Sequence, residues 1–243
     1  MYPKLQEIAE CIKANPYEAF GDIYHPLPFP EFQHLTISSN ASSAYRKWAL
    51  IKHCLPSLSS FSNLHVLDVG ANAGFYAFNF AKLGATVDAY EPNEGYANIG
   101  RQIVEATGLQ VRWYNKPLER TDLLDKQYDI ALMLSVFQWI SQGNEYLNQA
   151  TDLLRLVASS SRLLFFDLGC NHGKSAIRTE ERPIGWVWRL LQQNTSPKHV
   201  AYLASTTPWG RARRYLFACA EDPIKLTIWQ RSITHALRQC WVR

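Results

Sequence analysis

One stretch constrains the fold of this chain more than any other. Residues 64–69 read LHVLDV, a short apolar run that stops at Gly70 and gives way to ANAG and then FYAFNFAKL. So short a run cannot make a helix, and its glycine boundary predicts a strand buried on both faces, as in a parallel sheet. Residues 75–83 predict a helix closed by Gly84. The alternation then repeats, with strands predicted at 85–90, 109–114, 129–135 and 162–168 and helices at about 95–107 and 144–158. A helix near 183–193 precedes two more strands, near 199–204 and 213–219. These last two lie too close in sequence for a helical crossover, so they pair antiparallel. The expectation is an α/β fold: a seven-stranded, mostly parallel sheet with helices on both faces and an antiparallel last strand.

The flanks are less patterned. Residues 1–40 read as an N-terminal helix near 4–15 followed by an irregular stretch with PLPFP at 26–30, a candidate lid. Residues 41–222 read as the sheet domain. Its first helix spans 42–55, with Tyr45, Trp48, Ala49, Ile51 and Leu55 on one face, Ser42 or Ser43 as the cap and Pro56 as the stop. Residues 223–243 read as a C-terminal amphipathic basic helix that packs back on the domain, binds a partner, or makes peripheral contact with an anionic membrane surface.

Composition narrows the class of protein. Hydrophobic residues make up 47% and charged residues 19%, so a packed globular chain is expected. No apolar run approaches the ~18–20 residues of a membrane helix. The N-terminus carries acids and has no signal-like apolar stretch. Five cysteines, odd in number and without C-x-x-C spacing, support neither a disulfide framework nor a zinc cluster. A cytoplasmic location is expected. The formal charge of +4 hides an asymmetry: residues 1–171 carry 13 basic and 17 acidic side chains, residues 172–215 carry 8 and 2. The basic third attracts an anionic partner or forms a solvated face.

The densest chemical signal is Asp68-Val69-Gly70-Ala71-Asn72-Ala73-Gly74, between the first strand and its helix. Glycines there permit a tight turn and close approach of backbone to a ligand, and the helix start offers free N–H groups. In open α/β sheets, ligands lie at the carboxyl ends of the strands. Glu91 closes the second strand, where a carboxylate can accept both hydroxyls of a ribose. The spacing of Gly70 and Gly74 departs from the G-x-G-x-x-G of dinucleotide sites.

VLDVGANAGFYAFNFAKLGATVDAYEPN (66–93) resembles the first two motifs of class I S-adenosylmethionine-dependent methyltransferases, a Rossmann-like superfamily, and DVGAN-x-G with EPN is particularly similar to the FkbM-like branch. YDIALMLSVFQWI (128–140) is more similar to small-molecule methyltransferases, and WbdD-like polysaccharide and wobble-uridine methyltransferases are more distant likenesses. The resemblance implies S-adenosylmethionine as cofactor. It places Asp68 near the amino acid part of the cofactor, Gly70, Ala71, Asn72 and Gly74 in the turn against it, Glu91 on the ribose, Pro92 and Asn93 beside the adenine, and Ser135 facing the methionine part. Arg46, on the helix before the motif, is a candidate clamp for the cofactor carboxylate or a solvated arginine.

A hydroxyl acceptor needs a general base, whereas a carboxylate acceptor does not. His172, just past the fifth strand, is the leading candidate base, and Asp167 is the residue to orient it or to cap the loop. His25 and His34 are weaker candidates in the irregular N-terminal stretch. Gln138 cannot act as a base, and Trp139 reads as a packing residue. No pattern supports a metal site. Three functions stay open: O-methylation of a small molecule or saccharide, methylation of RNA with Trp186, Trp188 and Trp209 stacking on bases, and a non-catalytic partner subunit.

Overall fold

The computed structural model describes residues 3–14, 23–35, 38–55, 61–196, 198–207 and 213–241. The chain divides into two compact units, one of residues 1–48 and 58–118, the other of residues 49–57 and 119–243. Together they hold the seven strands of a mixed, mostly parallel sheet.

In the first unit the strand order is β3-β2-β1, formed by Val111–Tyr114, Thr86–Tyr90 and His65–Val69, all parallel. Val66, Leu67 and Val69 are buried, as a strand covered on both faces requires. Helix α3, Phe75–Lys82, follows β1 and buries Phe75, Tyr76, Ala77, Phe78, Phe80 and Ala81, so it is apolar almost all round. Helix α4, Glu94–Thr107, begins at Asn93, whose side chain accepts the Tyr96 N–H, and ends at Gly108 in the left-handed conformation.

The N-terminal helix α1, Pro3–Ala14, matches its predicted extent. Residues 23–35 are fastened rather than loose. Ile23 N–H donates to the Leu35 carbonyl (3.0 Å), Lys82 Nζ donates to the Pro28 carbonyl (2.7 Å), and Phe29 meets Phe78 edge-on at 5.6 Å. A 3₁₀ turn at Pro30–Leu35 buries Phe32 and Leu35. Helix α2 spans Ser38–Cys54, so Ser42 and Ser43 lie inside it and cap nothing. Trp48 is buried against Phe80, but Tyr45 stays 43% exposed despite its place on the predicted apolar face. Pro56 and the residues at 15–22, 36–37 and 208–212 lie outside the described set.

In the second unit the order is β4-β5-β7-β6, from Tyr128–Leu134, Ser161–Gly169, Arg214–Ala220 and His199–Thr206. Strands β4 and β5 are parallel, and β7 runs antiparallel to both β5 and β6. The helix predicted at 144–158 is Leu147–Ser159 (α6), and a short turn of helix, α5 (Phe137–Ile140), precedes it. Helix α7 spans Pro183–Asn194. The register of β6 slips between Tyr202 and Ala204 at the edge of the sheet, where the Tyr202 N–H and the Leu203 carbonyl take side-chain partners. The C-terminal helix α8, Ile228–Trp241, satisfies both: Tyr202 N–H donates to Thr234 Oγ1 (3.1 Å) and Gln230 Nε2 donates to the Leu203 carbonyl (3.0 Å). Gln230, Thr234 and Leu237 are buried, so this helix packs back and covers the edge strand. Among the described residues, no helix is long and apolar enough to cross a membrane.

Candidate active site

Strand β1 ends by delivering Asp68 into the interior at 2% exposure. The chain then turns through Gly70 (φ 69°) and Asn72 (φ 53°), and Gly74 (φ 103°) caps α3. The N–H groups of Gly70 and Ala71 both donate to the Tyr90 carbonyl, at 2.8 and 3.0 Å, which binds the turn to the end of β2. Glu91 reaches across the turn. Its Oε2 accepts the Asn72 N–H and its Oε1 accepts the Asn93 N–H, each at 2.8 Å. A carboxylate has about four lone-pair sites. Two are used here, and one on each oxygen remains for ligand hydroxyls.

The electrostatics of the turn follow from burial. Desolvation pushes the Asp68 carboxyl up from an ordinary 3.8 to about 7, with the nearby Glu91 charge adding to the rise and the Ala77 N–H opposing it. Burial also raises Glu91, against the pull of the Asn93 and Asn72 N–H groups. Asp68 Oδ2 and Asn72 Oδ1 are buried with no hydrogen-bond partner. A turn held by one carboxylate, beside a second whose oxygen lacks a donor, fits a ligand that brings a cation and vicinal hydroxyls.

Gly74 has a further reason to be glycine. A Cβ there would lie 2.6 Å from the Phe78 ring and 3.0 Å from the Trp113 indole. Gly100 on α4 meets the same indole, at 2.2 Å from a built Cβ. Trp113 of β3 thus occupies a slot that exists only because two helices present glycine to it, which the motif spacing did not reveal.

Residues 66–156 match a family model described as a methyltransferase domain. That segment is a class I S-adenosylmethionine-dependent methyltransferase domain. Over 101 residues the methyltransferase domain is 31% identical to a ubiquinone biosynthesis O-methyltransferase of Dinoroseobacter shibae, covering 42% of this chain and 41% of the relative. A second such enzyme, of Ruegeria pomeroyi, is 28% identical over 39% of this chain and 38% of its own length. The chain spans about two fifths of the length of these curated relatives. Among solved structures, a crystal structure of WbdD superposes with TM-score 0.70 at 15% identity, covering 89% of this chain and 49% of that one. Magnesium protoporphyrin IX methyltransferase from Synechocystis with bound S-adenosylmethionine gives TM-score 0.54 at 20% identity, over 75% of this chain and 80% of the other. These likenesses show the Rossmann-like methyltransferase fold, and S-adenosylmethionine is the cofactor of the domain. Asp68 and Glu91 have the charge and the unused lone pairs to suit it.

The other predicted residues of the methyltransferase domain are distributed as follows. Pro92 is exposed. Asn93 is exposed too, and its side chain is spent capping α4. Arg46 is exposed on α2. In the second unit, Ser135 takes a left-handed conformation (φ 60°) at the end of β4, and its hydroxyl donates to Asp167 Oδ1 at 2.6 Å. Asp167 is fully buried. His172 is half-buried, and its Nδ1 lies 3.1 Å from the Cys170 carbonyl. A carbonyl only accepts, so Nδ1 carries a proton, and in the neutral ring Nε2 is the acceptor. The imidazole packs over Gly169, where a Cβ would meet His172 Cε1 at 2.7 Å. Its loop is braced from both sides. Asn171 exchanges two hydrogen bonds with Thr179, and Asn144 exchanges two with Arg178.

Two aromatic expectations change, and a third is not tested. Trp139 is not a packing residue, because it is 65% exposed. Trp188 is buried at 1% exposure against Phe217, so it is unavailable for base stacking. Trp209 lies outside the described residues. His25, weakly weighted from sequence, lies in the fastened N-terminal segment with its ring 6.0 Å from Tyr76 in the first turn of α3. Only a tertiary contact joins those two residues, so no local pattern signals the pair.

Proposed function

We propose that this chain is an S-adenosylmethionine-dependent O-methyltransferase acting on a hydroxyl of a small molecule or saccharide. The observation that carries the cofactor half is Glu91, held by two backbone N–H groups across the Gly70 turn with a lone pair left on each oxygen, beside the unpartnered Asp68 Oδ2. In this reading Glu91 takes the ribose hydroxyls, Asp68 the amino acid end, and Gly70, Ala71 and Asn72 the surface between them. Bound there, the cofactor supplies a methyl group made electrophilic by its sulfonium.

The oxygen acceptor rests on two supports. The curated relatives are named as O-methyltransferases of ubiquinone biosynthesis. His172 Nδ1 donates to the Cys170 carbonyl, so in the neutral ring Nε2 is the acceptor, which suits it to take the proton of a hydroxyl as the oxygen is methylated. Asp167 Oδ1 accepts the Ser135 hydroxyl, which ties the end of β4 to β5.

Two measurements test the reading. Calorimetric titration with S-adenosylmethionine should show binding that Glu91→Ala abolishes. Incubating the protein with methyl-labelled cofactor, a small-molecule extract and bulk tRNA should place label in the small molecules. Label in the tRNA alone would overturn the acceptor class, and no binding of the cofactor or its demethylated product would overturn the function.

A further inference from the structure

Two hydrogen bonds of the second unit meet at Ser135, one on its hydroxyl and one on its backbone carbonyl, and the second leaves an unused acceptor on its donor's side chain. Ser135 Oγ donates to Asp167 Oδ1 at 2.6 Å, and Gln138 Nε2 donates to the Ser135 carbonyl at 2.7 Å. The second bond settles the amide orientation, because a carbonyl cannot donate to Oε1 in a flipped side chain. Oε1 is buried and has no partner, on a residue that is only 3% exposed. A buried amide oxygen without a donor destabilises the ligand-free protein, so its retention calls for something that supplies one. Trp139, the next residue on the same short helix, is 65% exposed, so α5 carries the unfilled acceptor on its buried side and an indole on its solvent side.

We propose that Gln138 is a binding residue for the methyl acceptor, its Oε1 receiving a hydrogen bond from an acceptor hydroxyl. This rests on the methyltransferase reading above. Gln138 moves no proton. It selects for a donor group, and the Ser135 carbonyl acts through it by holding the amide in one orientation. A site built to receive a hydroxyl rejects analogues that lack one far more strongly than an apolar pocket can.

The test uses Gln138→Met, close in volume and unable to accept this bond, and Gln138→Glu. Protonated, the glutamic acid can donate to the Ser135 carbonyl and still offer an oxygen to the ligand. Each full chain is incubated with methyl-labelled S-adenosylmethionine and serial dilutions of a low-molecular-weight cell extract. Melting temperature and cofactor affinity are measured alongside. Gln138→Met is expected to melt no lower than the parent and to bind cofactor equally. It should need about tenfold more extract for the same labelling, an effect on KM rather than kcat. Gln138→Glu is expected to recover labelling as pH falls. Unchanged labelling by Gln138→Met overturns the proposal. So does a fall in both melting temperature and cofactor binding, which marks a structural role, or a Gln138→Glu variant that behaves like Gln138→Met at every pH. If the parent protein labels nothing, the methyltransferase reading fails and this inference falls with it.

Discussion

Replacing Asp68 by Asn removes a buried acid whose proton is held up to about pH 7 in the folded chain and released near 3.8 in the unfolded one. Between those two values the folded state binds more protons than the unfolded state, so stability contributed by this group falls as pH rises. It is fully present below the unfolded value, and its loss is complete above the folded one. The whole difference is about 4 kcal/mol at 1.36 kcal/mol per unit. Asn fills the same space and keeps an oxygen for the Ala77 N–H, but carries no charge at any pH. The stability of Asp68→Asn relative to the parent should therefore climb by about 2.5 kcal/mol from pH 5 to pH 8. At about 2–4 °C per kcal/mol for a chain of this size, that is roughly 5–10 °C in Tm. Scanning calorimetry of both proteins across the range, without cofactor, reads the difference, because the titration of every group not coupled to Asp68 cancels and Glu91, which is coupled, adds in the same direction. The parent should also release a proton on binding S-adenosylmethionine at pH 6, seen as a binding enthalpy that depends on the buffer. A gap between variant and parent that does not change with pH would refute the premise that Asp68 is an uncompensated buried acid.

Other expectations follow from the same contacts. Glu91→Gln should weaken S-adenosylmethionine binding by about tenfold or more in equilibrium titration, since bonds to a charged acceptor contribute about 1.5–3 kcal/mol. Gly100→Ala should cost about 1–3 kcal/mol in denaturant unfolding, because the added methyl overlaps the Trp113 indole, and the cost should shrink when Trp113→Leu is made as well. His172→Gln should leave cofactor affinity intact and lower the rate of label transfer about 10²-fold or more in a single-turnover assay. An unchanged rate would remove His172 from the chemistry.

Much of the fold could be read along the chain, because burial on both faces and helical periodicity are local consequences of residue order. The strand ending at Val69, the turn through Gly70 and Gly74, the carboxylate at 91 and the antiparallel final pair all follow from short-range pattern. What the pattern could not tell is which groups meet across distance. The same residue type, tryptophan, is core at 188, exposed at 139 and wedged between two glycines at 113. Those fates depend on neighbours from other elements, not on flanking residues. Helix α8 reads as amphipathic in isolation, yet its inner face is specified by Gln230 and Thr234 reaching a slipped strand about thirty residues earlier. Asp167 is 32 residues from Ser135 in the sequence and accepts its hydroxyl, because adjacent parallel strands bring their carboxyl ends together. The sequence by itself determined where the glycine turn lies and which acids flank it. Only the tertiary structure decided which acid is stripped of solvent and which acceptor is left waiting, since desolvation and pairing belong to the packed assembly and not to any stretch of chain.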